Sequence, residues 1–311
     1  MSTSKIVGQI ELKEDVSQKN ARFFTKSRDL LLTLQLEYSI AYMRKYIYIT
    51  LSLLMLSVVS SCGEYNRILK STDNEAKLAY ARKAFDQKKY TQAATVLQDI
   101  VATMKGTKNA EESLYLLGLS LYENKDYINS SAYFHTYYTR YPKGKFAEMA
   151  RFYSGYGWYL DSPEAQLDQS GTIKAIEELQ AFLDYFPKSD KVPVAQNAIF
   201  ELQDKLTLKE LQNAQLYYNL GNYMGNNYES AVIVARNAIK NYPYSKYKEE
   251  LEMLILKSRY QEAAQSVEEK KADRFREVID EYYSFINNYP DTSNRKEADN
   301  IMKIASKYVN E

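Results

Sequence analysis

The residues able to carry covalent or acid–base chemistry in this 311-residue chain are few. It has one histidine, His135, and one cysteine, Cys62. A Cys–His zinc cluster or a disulfide framework cannot be built from that pair, and any Ser-His-Asp scheme would have to run through His135 alone. Asp161 and Glu164 form the nearest thing to a paired-carboxylate hydrolytic site, with no further signature around them. No G-x-G-x-x-G or G-x-x-x-x-G-K-S/T phosphate loop is present. With 41 Lys+Arg against 40 Asp+Glu the net charge is +1, which gives no electrostatic reason to expect nucleic acid. The inventory predicts a non-enzymatic interaction protein without metal or cofactor.

One chemical context does stand out, and it surrounds Cys62. Residues 43–62 read MRKYIYITLSLLMLSVVSSC: a basic pair, Arg44 and Lys45, then an uncharged, mostly apolar run, then Val59-Ser60-Ser61 before the cysteine. This is the layout of a signal peptide and resembles the bacterial lipobox. That resemblance implies cleavage before Cys62 and lipidation of that residue as the only covalent group. The competing reading is a transmembrane anchor, because the uncharged run Tyr46–Gly63 approaches the roughly 17–20 residues needed to span. Gly63 rather than Asp after the cysteine points, by family analogy, to the outer membrane. Met43 is then the natural start, and residues 1–42 read as an extension foreign to the mature protein. The 8 Lys/Arg and 5 Asp/Glu of residues 1–61 leave 33 against 35 for the rest, a near-neutral body.

The elements that must position a binding surface are helices. Gly and Pro total 16 of 311 residues, about 5% against an average near 12%, too few for the frequent turns of a β-sandwich or barrel. Four segments end in an aromatic-Pro pair: Tyr141-Pro142, Phe186-Pro187, Tyr242-Pro243 and Tyr289-Pro290. Two residues after each Pro stands Gly144, Ser189, Ser245 or Thr292. Counting back 15 gives Tyr127, Thr172, Tyr228 and Phe275. Offsets of 3, 7 and 10 from these give Ser130, Phe134 and Tyr137; Ala175, Leu179 and Phe182; Ala231, Ala235 and Ala238; Val278, Tyr282 and Phe285. These offsets share one helix face, and Pro ends each helix. Tyr90, Ala93, Leu97 and Ile100 form a fifth copy without the Pro. Leu117-Gly118, Tyr127, Ser130, Phe134 and Pro142 match the tetratricopeptide pattern.

The expected fold is therefore all-α: a right-handed superhelical solenoid of about five tetratricopeptide-like helix pairs with a C-terminal capping helix. The repeats start near Asn74, Asn109, Lys145, Val192 and Lys246. The third carries an insert, DSPEAQLDQ (Asp161–Gln169), which reads as flexible. Residues 192–224 look too long for one unbroken helix plus turn, so the fourth repeat is expected to hold an extra helix. The division is a signal peptide at 43–61, a lipidated linker at 62–73, N-terminal repeats at 74–190, C-terminal repeats at 191–293 and a cap at 294–311 whose outer face is polar, as solenoid ends require.

In such arrays the first helices line the concave side. Taking Gly118 as position eight, positions two, five, nine and twelve give Glu75, Leu78, Arg82 and Phe85; Glu112, Tyr115, Leu119 and Tyr122; Met149, Phe152, Tyr156 and Tyr159. The resulting stripe of Phe85, Tyr115, Tyr122, Phe152, Tyr156 and Tyr159 suits an extended apolar or aromatic peptide. Arg82 is the candidate receiver of a terminal carboxylate. Several of these rings also have packing between repeats as an alternative role. His135 reads as a surface or packing residue and Trp158 as core.

On these features the chain resembles the BamD family, lipoproteins of the outer-membrane β-barrel assembly machinery. Ala81–Ile100 is similar to the family's first repeat, the insert and the run after it to the third, and Leu208–Tyr223, with Glu210, Ala214, Tyr217 and Tyr218, to the fourth. The resemblance covers roughly residues 62–290. It implies an outer-membrane, periplasm-facing scaffold that holds a BamA-type β-barrel insertase through its C-terminal repeats. Unfolded outer-membrane proteins, whose C-terminal signal ends in an aromatic residue, would enter the N-terminal groove. Where family members often place an interface Arg this chain has Val234, with Arg236 two residues on as the candidate contact. Other periplasmic repeat lipoproteins, serving peptidoglycan or envelope processes or binding glycans, are the alternatives.

Overall fold

The computed structural model describes residues 42–50 and 63–309. The described residues up to Ser71 belong to one unit and those from Thr72 onward to another. In the first unit, 42–50 and 63–69 are helical. Cys62, most of the signal-peptide segment and residues 1–41 lie outside the described residues. No helix among the described residues is long and apolar enough to cross a membrane.

The second unit is a run of helices, with no strand among the described residues. They are α1 (Asn74–Asp86), α2 (Tyr90–Ile100), α3 (Ala110–Glu123), α4 (Tyr127–Arg140), α5 (Ala147–Asp161), α6 (Ser170–Tyr185), α7 (Val192–Leu220), α8 (Asn227–Asn241), α9 (Lys248–Ala264), α10 (Glu268–Asn288) and α11 (Arg295–Val309). Each packs on the next in chain order, which makes the body a solenoid of helix pairs closed by α11. The predicted repeat starts fall within two residues of the first helix of each pair.

The 15-residue frame is the core. Ser130, Phe134, Tyr137, Ala175, Leu179, Phe182, Ala231, Ala235, Ala238, Val278, Tyr282 and Phe285 are all buried. The aromatic-Pro turns show why the frame ends as it does. The amide of each aromatic residue still bonds back to its own helix: Tyr141 to Tyr137, Phe186 to Phe182, Tyr242 to Ala238 and Tyr289 to Phe285, at 2.8–2.9 Å. Pro then offers no N–H, and the next ladder bond is lost. The residue two beyond Pro closes a turn onto the aromatic carbonyl, Gly144 at 2.9 Å, Ser189 at 3.1 Å, Ser245 and Thr292 at 3.2 Å, with Pro in the second turn position it favours.

The hydroxyls in these turns have a task as well. Ser189, Ser245 and Thr292 accept from the amide two residues on, at 3.2, 3.3 and 3.0 Å. A carboxylate from the preceding first helix clasps the turn from outside. Asp204 accepts from the Ser245 hydroxyl at 2.6 Å and the Lys246 amide at 3.1 Å. Glu249 accepts from Thr292 at 2.5 Å, and Glu111 from the Lys145 amide at 2.7 Å. Charge-assisted bonds of this kind tie one repeat to the next.

Two expectations need correction. The fourth repeat holds no extra helix: α7 is one unbroken helix of 29 residues. Pro193 sits in its first turn, where a missing N–H is harmless, and no Gly or Pro follows until Gly221. The insert of the third repeat is pinned. Lys205 Nζ donates to the Ser162 carbonyl and hydroxyl at 3.0 and 2.7 Å, Lys209 Nζ donates to the Leu167 carbonyl at 2.8 Å, and Ala165 is buried.

Candidate functional site: the concave groove

First helices pack backbone against backbone on the first helices of neighbouring repeats, α1 with α3, α3 with α5, α5 with α7 and α7 with α9, while second helices reach one another only through long side chains such as Tyr138 to Glu178 and Arg236 to Glu281. The stack therefore curves with the first helices inside, and the groove positions read from sequence lie on that side.

The structure joins these positions into a ladder of rings. Tyr115 stacks on Phe146 at 4.2 Å and meets Phe134 at 5.6 Å. Phe134 stacks on Tyr153, and Tyr153 meets Tyr122 at 4.8 Å. Phe152 stacks on Tyr156 at 5.0 Å, and Tyr156 meets Tyr159 at 5.0 Å. Phe85 stands edge-on to Tyr90. Phe85, Tyr115, Tyr122, Tyr156 and Tyr159 are half-buried, so each ring both packs and offers an edge. Burial pushes the Tyr115 and Tyr122 hydroxyls well above the ordinary phenol range. The Tyr159 hydroxyl, pushed up to about 12, donates to Glu201 at 2.5 Å.

Phe152 does not belong to the exposed stripe. It is only 4% exposed and packs in one cluster with Phe182, Ala195 and Ala198. Arg82 is not a free receiver of a carboxylate either. Its Nε and Nη2 donate to the two Glu112 oxygens at 2.6 and 2.8 Å, a bidentate pair across repeats one and two. That bond raises the Arg82 pKa and lowers that of Glu112, and a ligand carboxylate could use the Nε edge only by displacing Glu112, which leaves it the Nη1 side.

Sequence reasoning missed Phe146, Tyr153, Glu201 and Lys205. Phe146 stands just before α5, ahead of the chosen helix positions, Tyr153 lies between two of them, and Glu201 and Lys205 sit on the long helix that sequence length alone suggests is broken. Burial lowers the Lys205 pKa. Arg236 lies on the outer side, where its guanidinium pairs with Glu281. It lines a cleft of about 410 Å³ with Ile239, Glu252, Ile255 and Phe285. Asp161 and Glu164 are exposed on the insert, and Trp158 is partly buried against the third-repeat core.

His135 is a surface residue tied to a buried group. Its Nδ1 is 2.6 Å from the Tyr138 hydroxyl, which donates to Glu178 at 2.7 Å. Glu178 also receives Ser154 at 3.3 Å and lies 3.2 Å from Lys174. Burial pushes the Glu178 carboxyl up, but Tyr138 and Lys174 outweigh it and hold it below the ordinary range. A carboxyl lowered in the folded state stabilises the fold above its unfolded pKa, and that contribution is lost as pH falls through the folded value. Urea midpoints of the wild type should therefore drop below pH about 4.3. Glu178→Gln should show a lower midpoint at neutral pH and a shallower acid limb; parallel curves would contradict this role for Glu178.

Fold and groove together define a tetratricopeptide-type solenoid with an aromatic inner face. Over residues 71–225, which match the family model described as YfiO, outer membrane lipoprotein, the chain belongs to that family, the BamD family of outer-membrane lipoproteins. The matched segment spans the first three repeats and α7. No curated protein matches the chain. Among solved structures it is similar to the TPR2AB domain of yeast Sti1 in its pHSP90 complex, at 13% identity over 75% of this chain and 98% of that one, with a TM-score of 0.35.

Proposed function

We propose that the chain is a non-enzymatic, lipid-anchored scaffold that helps fold and insert β-barrel proteins into the outer membrane. In this reading it faces the periplasm, its C-terminal repeats hold a BamA-type insertase, and the groove of the first three repeats receives unfolded clients. The observation that carries the reading is the match of residues 71–225 to an outer-membrane lipoprotein family. The aromatic inner face supports the client role, because half-buried rings offer apolar area with little rotamer freedom left to lose.

A mild-detergent pull-down from native membranes tests the assembly role. A large β-barrel protein with periplasmic domains is the expected companion; recovery of peptidoglycan or division proteins instead would replace the reading with an envelope-coordinating one. The groove is tested with a synthetic peptide ending in phenylalanine. Tyr122→Ala and Tyr156→Ala should each weaken its binding roughly ten-fold, the effect of losing a moderate contact residue of ~1.4 kcal/mol. Equal affinities would remove the groove from the proposal.

A further inference from the structure

The long helix α7 has a core seam that outruns its cover. Along its first half Ala195, Ala198, Ile199, Leu202 and Leu206 are buried, and four of them share a cluster with Ala175, Leu179 and Phe182 of α6. The same face continues in steps of three and four through Lys209, Asn213, Leu216 and Leu220. There the neighbour stops. At 1.5 Å per residue the 29 residues of α7 reach about 43 Å and the 16 of α6 about 24 Å. The Lys209–Leu167 hydrogen bond marks where the preceding repeat ends along α7. Beyond it Leu216 is 58% and Leu220 41% exposed, and in the following turn Tyr223 is 69% and Met224 90% exposed.

Three further observations set this end of α7 apart. Residues 211–228 contain no Asp, Glu, Lys or Arg, in a chain that is 26% charged. Depletion of charge with enrichment of Tyr and Met is the composition of interface centres. Met224 holds a positive φ of 56°, a conformation that is unfavourable for a residue with a Cβ and that presents its thioether to solvent. The opposite face is fixed, since Leu211, Ala214 and Tyr218 pack with Val232, Ala235 and Leu251. The exposed stripe therefore stands on a rigid helix and needs no ordering to bind.

We propose that the last two turns of α7, with Tyr223 and Met224, are a docking site for a short amphipathic helix of a partner protein, lying along α7 where α6 would have continued. The seam already accepts one helix at core spacing, so a second in line with it meets the same ridges and grooves. Four exposed apolar side chains are too few for a second copy of this chain to dimerise through, because a self-standing interface uses about 20–30 residues a side. They suffice for the few anchors of a helical segment. This site goes beyond the proposed function and does not require the partner to be an insertase.

The test places photoreactive benzoylphenylalanine at Leu216, at Leu220 and, as a control, at the equally exposed Ile233 of α8, in the full chain in native membranes. Leu216 and Leu220 should label one partner polypeptide at points three or four residues apart within a single amphipathic segment, and Ile233 should not. Leu216→Asp combined with Leu220→Asp should cut recovery of that partner at least ten-fold while the melting temperature stays within a few degrees. Adducts to lipid, to a second copy or to scattered sites, or labelling no stronger than at Ile233, would overturn the proposal. The labelling result stands whether or not the aspartate variant folds. A register-matched adduct supports the site whichever protein carries it, so this inference and the proposed function fail separately.

Discussion

Gly155→Leu is expected to lower the melting temperature by roughly 6–12 °C, taking about 3 kcal/mol of overpacking and ~2–4 °C per kcal/mol for a body of this size. Gly155 lies in α5 where that helix closely approaches Leu179 of α6. A Cβ there would stand 2.9 Å from both the Leu179 backbone nitrogen and Leu179 Cγ. The backbone of α6 cannot yield without separating the two helices, and Leu179 is fully buried. Gly118 makes a softer case: its Cβ would meet the Phe134 ring at 2.8–3.0 Å, and that ring is itself enclosed. Gly118→Leu should cost about 1–3 kcal/mol. Alanine distinguishes the two sites. In a helix interior it gains up to ~1 kcal/mol over glycine, which offsets much of the clash at Gly118 but not the one against backbone at Gly155. Circular-dichroism melts read the order directly, and an unchanged melt for Gly155→Leu would remove the close approach from the account.

The repeat frame was legible because it is periodic. Positions such as Ser130, Ala175, Ala231 and Val278 recur at a fixed distance from an aromatic-Pro pair, and all are fully buried. What escaped the sequence was aperiodic or depended on two distant residues. The long α7 broke a length expectation while breaking no chemical one, since nothing between Pro193 and Gly221 opposes a helix. Phe152 was assigned to the groove by its position alone. It turns inward because Ala195 and Ala198 at the front of α7 are small enough to leave it room. Arg82 and Glu112 were both placed on the inner face, yet their pairing became visible only when adjacent first helices brought position nine of one repeat against position two of the next. The carboxylate clasps were hidden for the same reason, since Glu111, Asp204 and Glu249 precede their turns by different numbers of residues. The acylation reading of Cys62 rested on local order, and it stays a sequence-level expectation because Cys62 lies outside the described residues.

Cys62→Ala is expected to abolish labelling of the chain by a clickable fatty acid and to move nearly all of it out of the outer-membrane fraction. The cysteine is the only thiol in the chain and follows Val59-Ser60-Ser61 at the end of an apolar run. Each buried methylene contributes about 0.8 kcal/mol to membrane binding, so one acyl chain anchors marginally and several anchor firmly. Losing the attachment point removes all of them together. Alanine at this position should leave the folded body untouched, because residue 62 precedes α1, where the repeats begin. The melting curve of the variant is therefore the internal control. The transmembrane-anchor reading makes the opposite forecast: no fatty-acid label in the wild type, an intact mass that includes residues 43–61, and attachment indifferent to the substitution. Fractionation, label and intact mass measured on the same pair of proteins separate the two, and a labelled wild type whose alanine variant stays in the outer membrane would mean that protein contacts, not lipid, hold the chain there.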